Sequence, residues 1–186
     1  MSKTKTIDLT SGPILKTLAE LALPIMASSL LGTAYNITDM AWIGMLGSKA
    51  VAGVGVGGMY VWLSQGLVAL PRMGGQVNVA QACGRGDYEQ ARGYAASALR
   101  LTFLLGILFA AVCIVFIHPL LGFFNLGDAE TYTAAKLYTL ITCGLILFSF
   151  LNLTLTGLST AQGDSKTPLM ANLLGLVGNM ILDPIL

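Results

Sequence analysis

Charge is scarce in this sequence. Only 10% of its residues are Asp, Glu, Lys or Arg, where a soluble domain carries about 25%. That shortage excludes an ordinary water-facing surface. Apolar residues make up 55% of the chain and the mean hydropathy is +0.75, which identifies an integral membrane protein. The few charges nearly cancel, to +1, so no basic face is available for nucleic acid. Histidine is rarer still. His118 stands alone before Pro119 at a helix end; an interfacial position accounts for it, and a proton sensor is the alternative. The three cysteines, Cys83, Cys113 and Cys143, lie far apart with no CxxC pair and no histidine nearby, which argues against a zinc site or a disulfide framework. The glycines from Gly53 to Gly58 are not followed by Lys-Ser or Lys-Thr, which excludes a phosphate loop. No catalytic residue, enzyme activity or organic cofactor is expected.

Long uncharged runs dominate instead, and five apolar helices are expected, at about 14–43, 50–81, 93–118, 131–161 and 168–186. Lys3 and Lys5 resemble the start of a signal peptide, but the apolar stretch that follows is too long and lacks a cleavage site, so the first helix is expected to be retained. Pro24 sits inside that helix, where its ring costs a backbone hydrogen bond and predicts a kink. Gly53 and Gly57 make a small-xxx-small face suited to close helix contact. The polar stretches 81–92 and 122–130 read as loops, and Pro168 suits a helix start. Lys3, Lys5, Lys16, Arg85, Arg92 and Lys166 fall on one side of the membrane, Lys49 and Lys136 on the other. That asymmetry places the first side, with the amino terminus, in the cytoplasm.

Acids inside apolar helices point to chemistry. A carboxylate at the centre of a membrane helix costs roughly 2.5–3.5 kcal/mol on insertion scales, so it marks a wet cavity or a partner. Asp39 is one, near the outer end of the first helix. Asp183 is the other, 17 residues beyond Lys166 in the sequence, or about 25 Å along a helix. The two therefore fall at similar depth in the outer half. Asn179 lies one turn before Asp183 on the same helical face. The structural alternative is a protonated pair that merely joins helices. Arg72 is either an arginine snorkelling to the interface or a gating residue. Tyr35 is a further candidate for lining a cavity.

These motifs run Leu23-Pro24…Asp39-x-x-x-Ile43-Gly44, Gln81-x-x-Gly84-x-Gly86-Asp87, Gln162-Gly163-Asp164-x-Lys166-x-Pro168 and Asn179-x-x-x-Asp183-Pro184. Together they resemble multidrug and toxic compound extrusion (MATE) transporters over essentially the whole chain. The resemblance implies an all-α membrane fold of twelve helices in two lobes, of which this chain supplies helices one to five of the first. The sixth helix and the carboxy-terminal lobe would be partners, and a chain of this extent is expected not to transport alone. It further implies export of drugs or organic cations across the cytoplasmic membrane in exchange for sodium or protons. Asp39, Asn179 and Asp183 would form the ion-coupling site and hold any sodium. Some relatives carry asparagine where this chain has Thr156, which makes Thr156 a candidate cavity position that departs from the pattern. Two other readings compete. A lipid-linked saccharide flippase of a related superfamily would want several basic residues in the cavity. A non-transporting membrane scaffold would not need the two acids.

Overall fold

The computed structural model describes residues 14–182. Among them there are seven helices and no strand: α1 (Ile14–Met45), α2 (Ser48–Gly84), α3 (Tyr88–Val115), α4 (Ile117–Gly122), α5 (Ala129–Gly144), α6 (Ile146–Ala161) and α7 (Lys166–Leu182). The helices α1, α2 and α3 are each long and apolar enough to cross a membrane, and α5 with α6 makes a further span bent by 46°. Large apolar side chains such as Phe103, Leu104, Ile107 and Leu108 point outward, as lipid-facing residues should.

The interior is organised around α2, which packs on α3, α5 and α6, while α1 pairs mainly with α7. One face of α2 is buried, marked by Gly53, Gly57, Ser64, Val68, Pro71, Gly75, Val79 and Ala82. Small residues on that face let α5 approach closely. A Cβ built at Gly57 would stand 2.5 Å from Tyr138 Cδ1 and 2.8 Å from Thr139 Oγ1. The core falls into three levels: Val79, Ala82, Ala91, Ala98, Leu158 and Ala161 at one end, Val68, Ile146 and Phe150 in the middle, and Ile117, Leu121 and Ala135 at the other end. Between α3 and α6 the buried hydroxyls of Thr102 and Thr154 share a 2.9 Å hydrogen bond.

The polar stretch 81–92 is mostly helix, not loop. At 37 residues, α2 measures about 55 Å, against roughly 30 Å of hydrocarbon, so its end projects into water. The chain reverses only at Arg85–Asp87, where Gly86 takes a φ of 76° and Asp87 caps α3 by accepting a hydrogen bond from the Gln90 amide. The stretch 131–161, expected as one helix, is broken at Leu145, next to Gly144, a weak helix former. By contrast α1 runs as one helical segment across Pro24.

Candidate functional site

Two helices at the margin of the bundle carry the polar residues singled out in the sequence. Tyr35 and Asp39 are one turn apart on α1, and Asn179 projects from the facing α7. The Asn179 side-chain amide donates a hydrogen bond to the Tyr35 hydroxyl at 3.4 Å, tying α7 to α1. Asp39 is half-buried. It lines a cavity of about 490 Å³ between α1, α2 and α5, with Asn36, Gly55, Gly58, Trp62 and Tyr138 among its walls. Gly55 and Gly58 open that space: a Cβ on either would meet nothing within 4 Å. Asp183 lies outside the described residues.

Tyr138 is the wall residue that the sequence did not single out. It lies across Gly57 and lines the same cavity as Asp39. α5 carries several polar side chains, so nothing in the sequence set Tyr138 apart; only the packing of α5 on α2 brings it to the Asp39 cavity.

Arg72 and Thr156 do not line this cavity. The stem of Arg72 rests on Gly157 of α6, where an added Cβ would come within 3.1 Å of Arg72 Cγ, and Gln76 lies beside it. Its Nε is buried without a hydrogen-bond partner. Thr156 is half-buried on the same helix, its carbonyl accepting from the Thr160 hydroxyl. No cluster of three or more His, Cys, Asp or Glu side chains suited to a metal occurs among the described residues. The Asp39 cavity thus offers a carboxylate, the Tyr138 phenol and the Asn36 amide. That set can take a proton or surround a hard monovalent cation with oxygen.

The MatE family model matches residues 24–185. This chain belongs to the MatE family. Its MatE relatives include a probable multidrug resistance protein NorM of Thermotoga maritima, 29% identical over 91% of this chain and 36% of the relative. An FAD transporter of Shewanella oneidensis is 26% identical over 96% of this chain and 39% of that protein. Among solved structures, a MOP superfamily transporter from Pyrococcus furiosus, described as having a binding pocket of reverse polarity, aligns with a TM-score of 0.86 at 26% identity. An outward-facing multidrug resistance MATE family transporter aligns at 0.85 and 27%. Both alignments cover all of this chain and 41% of the solved one. The chain therefore spans about two fifths of the length of the MatE proteins it matches.

Proposed function

We propose that this chain carries the ion-coupling half of a transporter that exports small organic cations across the cytoplasmic membrane in exchange for sodium or protons. The observation that carries the reading is the half-buried Asp39 in a cavity shared with Tyr138, beside the α1–α7 contact made by Tyr35 and Asn179. Loading the half-buried carboxylate with a proton or a sodium ion neutralises its negative charge. Coupling follows if ion and drug favour different conformations, because a ligand shifts an equilibrium only by its differential affinity. Asp183, four residues after Asn179 in the sequence, completes the site in this reading.

The flippase reading needs a basic cavity. Its best cation, Arg72, packs toward α6 instead. The experiment is efflux from cells that express the full-length protein and lack their own exporters. Export of ethidium that stops when the ion gradient is collapsed supports the proposal. Failure to export any organic cation, with movement of anionic lipid-linked saccharide instead, overturns it.

A further inference from the structure

A smaller cavity lies at the basic end of the bundle, away from Asp39. It measures about 270 Å³ and is walled by Val79 and Cys83 of α2, by Tyr88, Arg92 and Ala95 of α3, and by Gln162 at the end of α6. Drug-sized ligands occupy pockets of roughly 300–1,000 Å³, so this space suits a smaller group. Its polar groups gather on one side. Tyr88 is 69% exposed, as suits a tyrosine at a membrane interface. Gln162 has two side-chain N–H groups and donates one to the Leu158 carbonyl at 3.2 Å. Among the described residues no carboxylate pairs with Arg92, not even Glu89 one turn before it. At the opposite end of the bundle Lys49 is held between Asp128 and Glu130. The cation of this cavity has no such internal counter-ion.

We propose that this cavity binds the headgroup of an anionic phospholipid, with Arg92 on the phosphate and Gln162 and Tyr88 donating to its remaining oxygens. Depth selects the source of the anion. Centred on about 30 Å of hydrocarbon, a helix the length of α2 overhangs by about 12 Å, or about eight residues, at each end. Val79 and Cys83 fall within that overhang, at the level of the headgroups. The planar guanidinium of Arg92 matches a phosphate oxygen pair. Basic pockets between membrane helices at this level recognise anionic headgroups. A zwitterionic headgroup brings its own cation, which Arg92 repels, so the site selects for net negative charge. The apolar walls at Val79 and Ala95 face the glycerol end of the lipid. A bound headgroup touches α2, α3 and the end of α6 together, and so ties the turn that leads into α7 to the rest of the bundle. Nothing in the Asp39 site uses these residues, and the proposal stands apart from the ion-coupling reading.

The test uses the full-length protein in nanodiscs of phosphatidylcholine, with or without phosphatidylglycerol. Cys83 lines the cavity and is half-buried, whereas Cys113 and Cys143 are 2% and 0% exposed, so Cys83 reports occupancy. Its alkylation by N-ethylmaleimide is followed by peptide mass spectrometry. Phosphatidylglycerol should slow that alkylation several-fold. Arg92→Gln should abolish the slowing. Arg85→Gln should keep it, because Arg85 bonds Gln90 and does not line the cavity. Should Arg92→Gln assemble poorly, phosphatidylglycerol with a photoreactive headgroup reads the same site in the unmodified protein, and crosslinks are expected on the peptides that carry Arg92 or Gln162. Unchanged alkylation in phosphatidylglycerol, a slowing that persists in Arg92→Gln as a general effect of surface charge, or crosslinks only elsewhere would overturn the proposal. Equal protection by soluble glycerol phosphate in phosphatidylcholine alone would overturn the lipid as the source of the anion.

Discussion

At Asp164 one carboxylate holds the amino-terminal end of the helix that presents Asn179. Its Oδ1 accepts hydrogen bonds from the amides of Lys166 at 3.1 Å and Thr167 at 3.0 Å. Partial burial pushes this carboxyl up, but the Thr167 hydroxyl, the two amides and the Lys166 charge outweigh it and hold it below the usual carboxylate range. A carboxylate depressed in the folded state contributes stability above its unfolded pKa, about 3.9. That contribution is lost as pH falls through the lower folded value. Asp164→Ala should therefore cost about 1 kcal/mol at neutral pH, seen as a lower melting temperature in detergent. The gap from the unmodified protein should close as the pH drops below about 4. A gap independent of pH would mean that the side chain acts through packing and not as an ionised cap.

Helix contacts decide what the cavity looks like. Gly57 lets Tyr138 lie flat against α2 and reach the Asp39 cavity. Gly57→Ala should push that ring aside and cost about 1–3 kcal/mol, the usual range for overpacking. Gly55→Ala, two residues away on a face where a Cβ meets nothing within 4 Å, should leave the melting temperature unchanged or raise it, since alanine favours helix. Equal losses in both variants would show that helix geometry rather than the Tyr138 contact is at stake. The Gly53–Gly57 contact face was legible in the sequence because small residues one turn apart carry their own spacing. So were Tyr35, Asp39 and Asn179, because polar groups stand out in apolar helices. The bend at Leu145 was not, since the run from Leu137 to Ala161 is without charge on both sides of Gly144. The helical stretch past Gln81 was hidden because polarity marks the edge of the membrane, not the end of a helix. The place of Tyr138 beside Asp39 depends on which faces of α2 and α5 meet, and no single helix encodes that.

For the molecule as a whole, charge separates the two ends. Lys49 at the start of α2 pairs with Asp128 at 3.3 Å and Glu130 at 2.6 Å, while Arg85, Arg92 and Lys166 gather around the opposite loops. With the basic end in the cytoplasm, an exposed cysteine in place of Lys166 should react with impermeant maleimide only in inverted vesicles. One in place of Glu130 should react only on intact cells, and the reverse pattern would invert the topology. Loading of the coupling ion by Asp39 is tested most directly in proteoliposomes of the full-length protein. An imposed sodium or proton gradient should drive organic-cation transport by the unmodified protein. With Asp39→Asn the protein should reconstitute equally and still bind the cation, yet show no gradient-driven transport. Undiminished gradient-driven transport by Asp39→Asn would contradict the account and leave the acid with a structural role alone.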